Sequence, residues 1–147
     1  MSIWFKDVED YSAAEAAVRG GMWGALGHVG WVLLNVVVTF ASANGRLLFE
    51  FLTPFGQFIV IAIILVQLVV ALLTAWRFKI GKGAIAGWVN ALVLVTIVGL
   101  ELASGAFHGI IWYVVLLGIL LALINGARGA MALRSMHNPD EVVEAFE

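Results

Sequence analysis

The chain has 147 residues, of which 63% are hydrophobic and 12% are charged, with a formal net charge of −2 and a mean hydropathy of +1.03. A soluble domain carries about 25% charged residues, so this composition argues against one, and the small net charge gives no reason to expect nucleic-acid binding. With no cysteine in the chain, disulfides and thiolate chemistry are excluded.

The N-terminal segment, residues 1–19, mixes aromatic, charged and alanine residues and lacks the apolar core of a signal peptide. The run from Ser12 to Glu15 has the form of a capping box, which predicts a helix with Ser12 as N-cap. This segment is therefore expected to lie in the cytoplasm or at the membrane interface and to lead into a retained first span.

The first predicted span covers about residues 22–43 and is ended by the turn signal Asn44-Gly45. Residues 46–52 are apolar but interrupted by charge, and too short to cross a bilayer, so they are expected at the interface. Thr53 and Pro54 then have the residue types of an N-cap and a first helical position.

The second predicted span, about residues 55–76, decides the class of protein. Its 22 residues carry no charge, and 14 of them are Phe, Ile, Leu or Val. A helix of this length reaches about 33 Å, enough to cross a hydrocarbon core of about 30 Å. A third span over about 84–104 and a fourth over about 110–127 complete an all-α, four-transmembrane-helix bundle at residues 20–134, followed by an acidic tail at 135–147.

Lysine and arginine residues predict the orientation. If four spans cross the membrane, seven basic residues share the side of both termini, and Arg46 stands alone on the other. This bias predicts cytoplasmic N- and C-termini in a bacterial inner membrane. The residues that set it near the spans are Arg77, Lys79, Lys82, Arg128 and Arg134.

Small and polar residues recur on one face of the first span at seven-residue intervals, with Gly24 close by: Gly21, His28, Asn35 and Ser42. This stripe predicts a packing seam, within the chain or between copies. The alternative is a solvated or ion-conducting groove in which His28 titrates, although a position near the headgroups would explain this histidine without a function.

A second polar stripe lies on the third span and reaches the following turn: Asn90, Glu101, Ser104 and His108. A carboxylate in lipid suggests function by default, but near a span end it also fits structural pairing or interfacial exposure. His108 lies about two helical turns from Glu101, too far for the two to bind one metal ion without ligands from another helix. Gln67 and Thr74, seven residues apart on the second span, predict hydrogen bonds between helices.

Sequence patterns of catalysis are absent. The chain contains no HExxH, GxSxG or phosphate-loop motif, so the protein is expected not to be an enzyme and to need no metal or cofactor.

The run Leu123-Ile-Asn-Gly-Ala-Arg-Gly-Ala130 and the alanine-rich Arg-Gly entry to the first span resemble small four-helix bacterial inner-membrane proteins of unknown function. Small multidrug transporters share the size and span count. Their key feature is a glutamate inside the first helix, which this chain lacks, so that family is disfavoured.

Two functions follow as the leading hypotheses, and a third, an enzyme that acts on a lipid or quinone, would have only His28 and His108 as acid–base groups. The first is a structural or accessory protein in the lipid bilayer that forms homo-oligomers or joins other membrane subunits. The second is a small ion channel or proton-linked transporter that uses Glu101, with His28, Asn35 and Asn90 lining a path.

Overall fold

The computed structural model describes residues 10–103 and 109–137. This part of the chain is all-helical, with five α-helices: α1 (Tyr11–Ala41), α2 (Ala43–Glu50), α3 (Pro54–Lys79), α4 (Ala84–Ala103) and α5 (Ile110–His137). All but α2 are long and apolar enough to cross a membrane, as expected of a multi-pass membrane protein.

The helix starts follow local capping chemistry. Thr53 caps α3 by accepting a hydrogen bond from the backbone N–H of Gly56, with Pro54 opening the helix, which confirms that prediction. The predicted capping box at Ser12 is wrong. Asp10 is the N-cap, because its carboxylate accepts a hydrogen bond of 2.7 Å from the Ala13 N–H, while Glu15 pairs with Arg19.

The break after the first span also differs from the prediction. It occurs at Ser42, whose extended backbone separates α1 from α2, and not at Asn44-Gly45, which lies in the first turn of α2. The Ser42 hydroxyl caps α2 by accepting from the Gly45 N–H at 3.0 Å. Ser42 therefore does not continue the small-residue seam, although the sequence placed it there.

Two helices extend well beyond the predicted spans. α1 begins at Tyr11 and runs without interruption through residues assigned to an N-terminal segment. α5 continues to His137, so that Arg128 and Arg134 stand on its final turns. Ser104, His108 and the acidic tail from residue 138 lie outside the described residues.

The four long helices form a ring in which α1 packs against α3 and α5, and α4 packs against the same two helices. α1 and α4 therefore face each other diagonally across the bundle. We call the end where α1 gives way to α2 the α2 end, and the opposite end the loop end, after the turn that joins α3 to α4.

Packing is tight only toward the loop end. The buried residues of α1 all precede residue 33, those of α3 all follow residue 66, and those of α4 all precede residue 95. Toward the α2 end the side chains of the same helices are half-buried or exposed.

Candidate functional site: a polar centre beneath an intramembrane cavity

The loop end is closed by contact between backbones of α1 and α5. A Cβ atom added to Gly21 would lie 2.6 Å from the Cα of Gly126, and one added to Gly24 would lie 2.7 Å from the Cβ of Ala122. Small residues permit this approach, as they do in membrane helix pairs generally. Gly21 and Gly24 are thus packed within the chain.

The Phe78 side chain, 1% exposed, fills the interior at the same end of the bundle. Glycines from the α3–α4 loop, α4, α5 and α1 surround its ring: Gly83, Gly87, Gly126 and Gly21. A Cβ on Gly87 would lie 2.6 Å from the ring, and one on Gly83 would collide with it. The four-residue spacing of Gly83 and Gly87 is visible in the sequence, but only the structure shows that the Phe78 ring occupies the space beside them.

One turn nearer the bundle centre, Thr74 links α3 to α4. Its hydroxyl lies 2.7 Å from the Val70 carbonyl oxygen on its own helix and 3.1 Å from the Ala86 carbonyl oxygen on α4. The prediction that Thr74 hydrogen-bonds between helices is confirmed. Together, Thr74 and Phe78 fill the interior between the centre and the loop end.

The centre of the bundle is polar. His28 of α1 and Asn90 of α4 are both 0% exposed and meet across the diagonal, with 2.7 Å between His28 Nδ1 and Asn90 Oδ1. Gln67 of α3, 9% exposed, lies beside the His28 ring. Three predicted polar residues therefore converge from three helices.

This arrangement gives His28 a hydrogen-bond partner inside the bundle, which the sequence did not identify. The residue stands nine positions beyond Arg19, which corresponds to about 13 Å along a helix. It is enclosed by protein and held by Asn90. A histidine within a membrane-spanning helix needs a partner inside the protein, because lipid offers no hydrogen bond.

Above the polar centre, toward the α2 end, the helices enclose a cavity of about 320 Å³. Polar residues from α1, α3 and α4 line it: Asn35, Thr39, Gln67 and Glu101. Its walls are otherwise apolar, and Phe40 and Phe49 border it with their rings in edge contact, 5.1 Å between centroids.

Gln67 belongs to both features, since it lines the cavity and lies beside His28. Asn35 lies in the cavity wall with its side-chain amide bonded to the Trp31 carbonyl oxygen at 3.0 Å. Glu101, half-buried, shares the cavity, whereas Asn90 faces His28 below it. The predicted stripe on α4 is thus divided between two environments.

Within the described ranges, no group of three or more His, Cys, Asp or Glu residues could hold a metal ion. The cavity can instead offer a carboxylate, amide groups and a hydroxyl within apolar walls, a combination suited to a small ligand with one charged or polar end. Comparison with known proteins found no match to a protein-family model, to a curated protein or to a solved structure.

Proposed function

We propose that the protein is a non-enzymatic, multi-pass membrane protein that binds a small cation or protonated amine in the cavity between α1, α3 and α4, as the binding step of proton-linked or ion transport. The observation that supports this most is the position of Glu101 in the wall of a cavity whose other lining residues are neutral. An anionic side chain within a membrane span is expensive, and such residues usually mark a substrate or ion path.

The size and chemistry of the cavity define the ligand class. A volume of about 320 Å³ is at the small end of the range for small-molecule sites. The carboxylate would receive a cationic head, while aliphatic residues such as Ile64 and Ile97 would contact an apolar body. Both Na⁺ and the benzylammonium ion, a protonated amine that can donate hydrogen bonds to the carboxylate, are suitable probes.

Binding of each probe to the purified protein tests the assignment, with Glu101→Gln as the variant and Glu50→Gln as its matched control. Glu50 stands on α2 at the same end of the bundle but does not line the cavity. We expect Glu101→Gln to weaken binding at least about tenfold, because a hydrogen bond to a charged group is worth ~1.5–3 kcal/mol. Failure of both probes to bind, or equal binding by the two variants, would overturn the proposal.

The orientation belongs to the same proposal: a bacterial inner membrane, with both termini in the cytoplasm. It is supported by the basic residues near the loop end, among them Arg19, Arg77, Lys79 and Arg128. Reporter fusions to each terminus test it. A periplasmic signal from either terminus would contradict this orientation.

A second candidate, an accessory subunit that assembles with copies of itself or with other subunits, is favoured by a groove beside α1 and α5. This groove of about 370 Å³ includes Gly27 and Gly30, and a Cβ on Gly30 would meet nothing within 4 Å. A substitution at Gly24 cannot test assembly, because Gly24 is packed against α5 within the chain and a larger side chain would disturb the fold. Gly30→Leu should change the oligomeric state in mild detergent, whereas Gly20→Leu, equally open in this chain, should not.

A further inference from the structure

The hydrogen bond between His28 and Asn90 defines the chemistry of the imidazole. A carboxamide oxygen only accepts, so His28 Nδ1 is the donor in this 2.7 Å contact. A neutral imidazole with its hydrogen on Nδ1 presents a lone pair at Nε2. His28 Nε2 is therefore an acceptor of hydrogen bonds and of protons.

Two polar atoms of this pair, His28 Nε2 and Asn90 Nδ2, make no direct hydrogen bond of good geometry within the described part of the chain, and the Gln67 side chain is the other polar group beside the imidazole. Each belongs to a side chain that is 0% exposed. A buried group left unsatisfied costs about 1–3 kcal/mol, and apolar surroundings strengthen the need for a partner. One atom accepts and the other donates, and water can serve both.

One cavity lies beside this pair. Gln67 lines that cavity and also lies beside the His28 ring, so it separates the cavity from His28. In the opposite direction, the buried side chains of Thr74 and Phe78 fill the interior. A water-filled passage from the α2 end would thus terminate at His28.

We propose that the cavity is a hydrated half-channel ending at His28, and that His28 Nε2 takes up and releases protons through its water. In the uptake step an O–H bond of a hydronium ion breaks, an Nε2–H bond forms, and neutral water remains. The proposal builds on the cavity of the proposed function, but it does not require that an amine or Na⁺ binds there.

Few charged groups surround His28 and the cavity. Glu101 is the charged residue of the cavity wall. From α3 the facing polar group is the neutral Gln67, and α5 presents the apolar Ile119 and Leu123 at this level of α1. α1 itself carries no charge between Arg19 and Arg46. Glu101 is therefore the residue that would exchange protons with His28 through the cavity water.

Nuclear magnetic resonance of protein labelled with ¹⁵N-histidine in lipid nanodiscs tests the proposal. The His28 signals are assigned by their loss in His28→Gln. We expect a cross-peak between water and the His28 side chain. We also expect the ¹⁵N chemical shift of His28 Nε2 to change as the pH is lowered and the proton is taken up. An imidazole without water contact in the unmodified protein would overturn the proposal.

Two variants test the route. Gln67→Leu makes the cavity less polar and Ile64→Phe makes it narrower, so each variant should abolish the water cross-peak. Thr96→Val is the control, because Thr96 is exposed and lies outside the cavity wall, and this variant should retain the cross-peak. Water contact that persists in both variants would refute entry through the cavity. Glu101→Gln separates this proposal from ligand binding, since it should abolish amine binding but leave water at His28.

Discussion

Gly21 and Gly126 bring α1 and α5 together so closely that a single methyl group on Gly21 would lie 2.6 Å from the opposing Cα. The atom in the way belongs to the backbone, so no side-chain rotation can relieve the clash. Gly20, the preceding residue, has nothing within 4 Å of the same added atom. These neighbouring glycines form a matched pair for testing the crossing.

Gly21→Ala should lower the free energy of unfolding by about 1–3 kcal/mol through overpacking. Gly20→Ala should leave stability unchanged or raise it by up to about 1 kcal/mol, because alanine favours the helix. Thermal unfolding of both variants in mild detergent, followed by circular dichroism, measures the difference. Equal midpoints would contradict the close crossing.

Phe78→Ala should be among the most destabilising single changes in the bundle. Removing a buried phenylalanine ring costs about 3–5 kcal/mol in well-packed cores, and the surrounding glycines have no side chains with which to fill the space. Phe58→Ala is the control on the same helix, because that ring is 66% exposed. If the two variants unfold alike, Phe78 does not fill the interior at the loop end.

His28 and Asn90 should be energetically coupled. We expect a double-mutant cycle of His28→Leu and Asn90→Leu to give a coupling energy between about 0.6 and 1.7 kcal/mol, the average and the maximum from such cycles on hydrogen bonds between membrane helices. The readout is unfolding by a denaturing detergent. Strictly additive losses would show that the 2.7 Å contact contributes nothing to stability.

Thr74→Val should destabilise the protein by about 0.5–1.5 kcal/mol, because its hydroxyl joins α3 to the Ala86 carbonyl oxygen on α4. Thr96→Val makes the same chemical change at a hydroxyl whose 2.9 Å contact is with Leu92 of its own helix. The Thr96 variant should therefore unfold close to the unmodified protein. A larger loss at Thr96 than at Thr74 would argue against the link between helices.

The four membrane-length helices could be predicted from the sequence because the hydropathy of a segment depends only on its own consecutive residues. The start of α3 at Thr53 and Pro54 was predicted for a similar reason, since a cap is made within one turn. The same local reasoning failed at Ser12, where Asp10 offers a carboxylate that captures the free N–H of Ala13. It also failed at Ser42, whose hydroxyl caps α2 and moves the break ahead of Asn44.

Local composition therefore establishes which segments are apolar enough to cross a bilayer, and helical periodicity places Gly21, Gly24 and His28 on one face of the first. What that face contacts depends on the assembled bundle: the α5 backbone at the two glycines and Asn90 at His28. The partners of a residue depend on helix rotation and on which helices are neighbours. Both are set by the simultaneous packing of all four long helices, which no single segment encodes.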